Sequence, residues 1–406
     1  MRWIWRYKFN HIFKKRKALD KKIFIIAGEE SGDQHAAALV KRLLQMDPGL
    51  DISGLGGKHL EAQGMKNVLD LTQLAITGIS GVFGHLRDIH QAFKLTKAYL
   101  LKNPPDLVIL IDYPGFNLRM AKWIKKQIGC PVVYYISPQI WAWKAKRIEI
   151  IKANVSHMAV ILPFEKPIYE AENVPVTYVG HPLRDELLAI PSQSECRTDL
   201  NGLQNERWLA ILPGSRKGEL SRHMPVIMEG LKLLYQHPSY QDLKVVIPVA
   251  KSLNRESFLP YLKDCPFEYR LFDGQAQKVI QASDVVIVSS GTASFECAVL
   301  GKPSCIVYQS SWLNYYLAMR WMKVKYLGLA NLLFNQMILP ELLQKDFQAT
   351  EIMKMVMALF EESNWRTSLI KHLKTLSELL KPADGTPLET TIQQLLKNEI
   401  NSYSKK

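Results

Sequence analysis

The chain has 406 residues, 47% hydrophobic and 22% charged, with a formal net charge of +14. This is a globular composition at a length that fits two domains better than one core. Residues 1–22 hold nine Lys/Arg against Asp20, so +8 of the charge sits in a short arm and only +6 in the remainder; that distribution argues against a nucleic-acid-binding face, and no zinc-finger, RRM or homeodomain pattern occurs.

In chain order, the arm 1–22 comes first. It interleaves Trp3, Trp5, Tyr7, Phe9 and Phe13 with its cations, the composition of a segment lying in a membrane interface; a solvated, disordered tail is the other reading. It lacks the apolar core and cleavage site of a secretory signal. From Lys22 onward, apolar runs at 22–28, 51–57, 106–112, 131–137, 157–162 and 176–180 predict strands, with helical patterns between, clearest at 85–102 and 117–128. Runs that are apolar throughout, rather than alternating, predict a parallel sheet covered on both faces.

After a polar stretch at 183–206 the pattern restarts, with strands expected at 207–214, 243–249, 268–274, 284–291 and 303–309. The expected fold class is α/β, two doubly wound Rossmann-like domains facing a cleft. The expected boundaries are the arm 1–22, an N-terminal domain 23–190, a C-terminal domain 200–350, and helices over 351–406 that pack back across the cleft. No run of 18 apolar residues occurs, so no spanning helix is expected. Cysteines 130, 196, 265, 297 and 305 form no C-x-x-C pair and read as reduced thiols. The ten histidines show no ligand spacing, so no zinc site is expected.

Ligands of doubly wound sheets bind beyond the carboxyl ends of strands, and five loops there are unusual. AGEESGDQHA (27–36) can turn tightly at Gly28 and Gly32 and cap a helix with Ser31. LVILIDYPGFN (107–117) ends an apolar strand on Asp112; a carboxylate there, partly desolvated, has a raised pKa and makes a competent general base. A loop-bracing Asp is the plainer reading. LPGSRKGE (212–219) offers Ser215 as donor and Arg216 as a forked cation for phosphate oxygens. VSSGTASFECAVLGKP (288–303) starts a helix at Ser290, Gly291 and Thr292, suited to a diphosphate, with Glu296 one turn on for ribose hydroxyls. SPQIWAWKAKR (137–147) sets Trp141 and Trp143 beside Lys144, Lys146 and Arg147; cations at a helix start oppose its dipole and point to an anionic partner.

Taken together from Ile23 to Leu380, AGEESGD, LIDYPGFN, SPQIWAWKAKR, ILPFEKPIYE, YVGHPL, LPGSRKGE, SSGTASFEC and YLGLANLL resemble lipid-A-disaccharide synthase, a family of inverting GT-B glycosyltransferases. The resemblance implies transfer of 2,3-diacylglucosamine from UDP-2,3-diacylglucosamine to 2,3-diacylglucosamine 1-phosphate, giving a β-1,6 disaccharide and UDP, on the cytoplasmic side of the inner-membrane surface. It implies Asp112 as base, Arg216 and the 290–292 helix start on the diphosphate, Glu296 on the ribose and Asn331 near the donor. Glu29, Ser31 and Asp33 would shape the acceptor side, with Trp141, Trp143, Lys144 and Arg147 on the lipid, and 312–326 a second lipid contact. No D-x-D sequence occurs, so no metal bridge or other cofactor is expected; the oligomeric state stays open, a homodimer included. The chain departs from the family at Gly115, where many members have Asp, at Phe334, Asn335 and Gln336 in place of Ala-Gly-Arg or Ala-Gly-Lys, and in its aromatic arm. An inactive membrane-associated binding protein and a different GT-B enzyme acting on a lipid-linked acceptor are the alternatives.

Overall fold

The computed structural model describes residues 21–72, 81–142, 146–310, 324–382 and 388–403. The arm up to Asp20, Trp143, Lys144 and nearly all of 312–326 lie outside the described residues.

The chain divides into two compact units, residues 1–180 with 382–406, and residues 181–381. The first holds a seven-stranded sheet in the order β3-β2-β1-β4-β5-β6-β7. Its strands are β1 (Lys22–Ala27), β2 (Asp51–Gly56), β3 (Lys66–Asp70), β4 (Leu107–Ile111), β5 (Val132–Tyr135), β6 (His157–Val160) and β7 (Val176–Tyr178). The second holds a six-stranded sheet, β10-β9-β8-β11-β12-β13, built from β8 (Trp208–Leu212), β9 (Lys244–Val249), β10 (Glu268–Asp273), β11 (Val285–Ser289), β12 (Ser304–Tyr308) and β13 (Glu341–Leu343). All pairings are parallel. In each sheet the chain winds outward in one direction, returns to the first strand and winds the other way, which places a switch point between β1 and β4 and between β8 and β11.

The apolar runs follow from this layering. Side chains alternate across a strand, so Phe24 and Ile26 of β1 enter the core on one face while Ile23, Ile25 and Ala27 enter the core on the other. Residues of β4 divide likewise, Val108 and Leu110 against Leu107, Ile109 and Ile111. Helices cover both faces, so neither set can be polar.

All eleven expected strands are present. β3 and β13 were not expected, because edge strands of five and three residues with Lys66, Asn67, Asp70 and Glu341 among them carry no apolar run. The boundaries also differ. The first unit ends at Gly180 rather than 190, and the C-terminal helices split between units. Ala349–Phe360 and Asn364–Leu379 belong to the second unit, whose core takes Ile352, Val356, Leu369 and Leu373. Leu388–Tyr403 joins the first, where Leu388, Ile392 and Leu396 are buried and Glu389 pairs with Arg42 of helix Glu30–Met46.

Candidate active site

The first unit brings two carboxylates to its switch point. Asp112 follows β4, and Glu29 is the N-cap of the helix Glu30–Met46 after β1. Asp112 and Tyr113 both adopt left-handed backbone, φ 45° and 44°, a conformation that costs about 1–3 kcal/mol for each non-glycine residue. Their neighbours hold it. Asn117 donates from Nδ2 to the carbonyls of Ile111 and Asp112 at 3.1 and 2.8 Å, and the buried Tyr134 hydroxyl donates to the Asp112 carbonyl at 2.6 Å. The Tyr113 ring lies over Gly28, where a Cβ would come 2.3 Å from Cδ1; only glycine permits that approach.

Burial first, and the Glu29 charge second, push the Asp112 carboxyl from 3.8 up to about 6, against a hydrogen bond from the Tyr113 N–H. Such a group is ionised near neutrality yet basic enough to take a proton from a hydroxyl. Because Glu29 raises this value, Glu29→Gln is expected to move the acid limb of the pH-rate profile to lower pH. Glu29 is exposed, so the effect should shrink as salt screens it; an unmoved limb at low salt would refute the coupling.

Of the other first-unit residues, Ser31 is exposed beside Glu29. Asp33 is not placed to shape an acceptor surface: it is 1% exposed and its carboxylate accepts from the N–H groups of Gly57, His59 and Leu60 at 2.7, 2.9 and 3.4 Å. It braces the first turn of the helix Lys58–Ala62, and a carboxylate buried against three amides does not present itself at a surface. Trp141 turns inward as well. Its indole N–H donates to Glu165 Oε1 at 3.1 Å and its ring stands edge-on to Phe164 at 5.0 Å.

Sequence reading passed over Glu165. It is 2% exposed, its Oε2 also accepts from the Leu162 N–H at 3.2 Å, and burial pushes its carboxyl up to about 7. Ser137 hydrogen-bonds the Tyr169 hydroxyl at 2.6 Å, so SPQIW and LPFEKPIY are bound to each other through two side-chain hydrogen bonds and one ring contact. Arg147 opens the helix Arg147–Asn154, and its charge bears on the Tyr134 hydroxyl that holds Asp112. Arg147 and Asp112 therefore share one neighbourhood.

The second unit has a cavity of about 500 Å³ at the ends of β8, β9 and β11, lined by Gly214, Ser215, Arg216, Lys251, Ser290, Gly291, Thr292 and Glu296 among others. Two helix starts face it, and they differ. At Lys217–Tyr235, Glu219 caps its own helix, accepting from the N–H groups of Ser215 and Arg216 at 2.9 and 3.3 Å. At Thr292–Val299 the N-cap is Gly291, φ +149°, with no side-chain cap and nothing within 4 Å of where a Cβ would be. Ser294 N–H turns back to the Gly291 carbonyl at 3.2 Å, while the N–H groups of Thr292 and Ala293 precede any intrahelical acceptor, an arrangement suited to an anion.

Arg216, with an 82% exposed side chain, pairs with Glu219 at 3.2 Å among the described residues. Glu296 accepts from Gln277 Nε2 at 3.1 Å, and burial pushes its carboxyl up. Phe295 beside it packs on the His181 ring at 5.0 Å, joining the first residues of the second unit to this helix. The buried His223, also passed over, donates from Nδ1 to the Pro213 carbonyl at 2.6 Å and accepts the Gln309 N–H at Nε2 at 3.0 Å. It fixes the loop that carries Ser215 and Arg216.

Asn331 departs from expectation. It is fully buried, its Nδ2 donates to Leu339 O and Glu341 Oε1 at 2.7 and 2.8 Å, and its Oδ1 accepts from the N–H groups of Ile338 and Leu339 at 2.8 Å each. An amide so engaged has no hydrogen-bonding capacity left for a nucleotide.

A family model described as lipid-A-disaccharide synthetase matches residues 23–384. The chain is 47% identical over 365 residues to lipid-A-disaccharide synthase 1 of Legionella pneumophila (strain Philadelphia 1), covering 90% of this chain and 94% of that one. This chain belongs to the lipid-A-disaccharide synthetase family. It is also 39% identical over 335 residues to the lipid-A-disaccharide synthase of Geobacter metallireducens, covering 82% and 86% of the two chains. In fold it is similar to the crystal structure of Acinetobacter baumannii MurG, with a TM-score of 0.55 at 14% identity over 93% and 99% of the chains. The architecture is GT-B, and the chain is a glycosyltransferase of the lipid A pathway.

Within this family's pattern, two of the chain's departures have physical accounts. At Gly115 an added Cβ meets nothing within 4 Å, so glycine there leaves open space rather than filling a packing need. Phe334 packs edge-on against His372 at 5.6 Å, and Asn335 is the left-handed cap of helix Leu329–Phe334, φ 49°. Both serve the fold of the second unit.

Proposed function

We propose that this lipid-A-disaccharide synthase joins 2,3-diacylglucosamine, carried on UDP, to the 6-hydroxyl of 2,3-diacylglucosamine 1-phosphate in one inverting displacement. The Asp112 carboxylate takes the hydroxyl proton as that oxygen attacks the anomeric carbon. The bond from that carbon to the diphosphate oxygen breaks on the opposite face, and UDP departs as an anion, so no second acid is required. The amides at Gly291 and Thr292, the Ser215 and Ser290 hydroxyls and Arg216 receive the charge that develops on the diphosphate. Arg216 can swing from Glu219 because its own side chain is 82% exposed and the contact is a single one at 3.2 Å. Glu296 accepts from the ribose hydroxyls, and Glu29 and Arg147 frame the acceptor beside Asp112.

The observation that carries this reading is a strained, amide-pinned strand end presenting a carboxyl raised to about 6 at the switch point of one sheet. The same reading puts the enzyme on the cytoplasmic face of the inner membrane, held peripherally; among the described residues no helix is long and apolar enough to cross a bilayer. Purified protein incubated with both substrates in detergent micelles, with and without EDTA, is expected to form the disaccharide 1-phosphate equally in both. Absence of product across several acyl lengths would refute the assignment of substrates.

A further inference from the structure

Outside both sites, the helices Gly81–Lys102 and Pro114–Gln127 enclose a groove of about 510 Å³ lined by Ile89, His90, Phe93, Lys94, Lys97 and Arg119. Its floor is apolar: Ile89 and Phe93 are half-buried and packed on the first unit's core. Its rim is cationic. The two helices together carry eight Lys/Arg against the single acid Asp88, and among the described residues no carboxylate pairs with Lys94, Lys97 or Arg119. Lys97 Nζ instead sits 5.0 Å from the Phe93 ring centroid and 5.5 Å from that of Trp123.

Rings connect this groove to the base. Phe93 stands edge-on to Phe116 at 4.6 Å, and Phe116 stacks with Tyr113, the neighbour of Asp112, at 6.0 Å. Arg119 lies six residues beyond Tyr113, a helical rise of roughly 9 Å. A hexose whose 6-hydroxyl is at Asp112 carries its anomeric phosphate just across the ring oxygen, a shorter span, which the long Lys and Arg side chains make up by reaching back toward Asp112.

We infer that this groove is the acceptor's anchoring site: Lys94, Lys97 and Arg119 hold the anomeric phosphate, and an acyl chain lies on Ile89 and Phe93. The inference rests on the acceptor named above and adds the residues that select it. An apolar floor alone would take any acyl chain, and loose cations any phosphate; the two together select an acylated sugar phosphate over its dephosphorylated form.

The test uses the full chain with Lys94→Gln, Lys97→Gln and Arg119→Gln, singly and combined, all at exposed or half-exposed positions where folding is expected to survive. Each change should raise KM for 2,3-diacylglucosamine 1-phosphate about tenfold, leaving kcat and the donor KM within about twofold. The triple variant should lose the preference for the phosphorylated over the dephosphorylated acceptor. Ile89→Trp, which fills the floor, should shift preference to shorter acyl chains. Binding of the same sugar phosphate, followed by calorimetry without donor, reads the groove even if turnover with this substrate pair fails, so the two readings can fail separately. Unchanged acceptor KM and binding in the triple variant would overturn the inference. So would loss of binding to anionic phospholipid vesicles with acceptor KM intact, which would make the groove a membrane contact instead.

Discussion

Asp112→Asn is expected to slow transfer by about two to four orders of magnitude, the range of a lost general base, while making the protein harder to unfold above pH 6. The two effects have one cause. Folding raises the Asp112 carboxyl from 3.8 to about 6, so the folded state holds this proton more tightly than the unfolded state does. The group's contribution to stability is therefore most favourable below pH 3.8 and is lost as pH rises through about 6. Near neutrality the buried charge costs up to about 3 kcal/mol, at roughly 1.4 kcal/mol for each tenfold gain in proton affinity. Asn does not ionise, and it tolerates the left-handed backbone better than most residues, so the variant recovers about 1–3 kcal/mol. Urea unfolding at pH 8 and at pH 5, alongside turnover, checks both halves. A variant inactive but no more stable at pH 8 would mean that Asp112 is not desolvated as described, and an active variant would remove it as the base.

Asn331→Ala is expected to destabilise the second unit by about 3–5 kcal/mol, because it strips the Ile338 and Leu339 amides and the Leu339 carbonyl of their partner in the interior. Donor KM should stay unchanged, because loss of folded protein lowers only the maximal rate. The position discriminates sharply between roles. A residue touching the nucleotide would raise donor KM with little change in unfolding midpoint, whereas the buried amide predicts the reverse. Denaturation followed by intrinsic fluorescence, with donor titrated under stabilising conditions, separates them.

The strands were readable because burial on both faces of a parallel sheet leaves continuous apolar runs such as LVILI and VVIVS. β3 and β13 were not, since short edge strands are half solvated and keep polar residues. The loops at the switch points were also readable, because winding order fixes which strand ends lie there; Asp112 and Gly291 both follow such strands. What the residues could not reveal is which way a polar side chain turns. Asp33 and Asn331 sit in motifs as suggestive as Asp112's, yet backbone amides consume them. Glu165 drew no notice in the sequence and is a buried partner of Trp141. The cationic groove came from neither motif nor run, because Lys94, Lys97 and Arg119 meet only when two helices lie side by side.

A single inverting displacement leaves its record in the anomeric configuration of the new linkage. Product formed from the α-linked UDP donor, isolated and examined by the proton coupling at its new anomeric centre, should be entirely β-linked, with one UDP released per disaccharide. An α-linked product would require a second displacement through a covalent intermediate, with Asp112 or Glu29 acting as nucleophile, and would contradict Asp112 as the base of a single displacement.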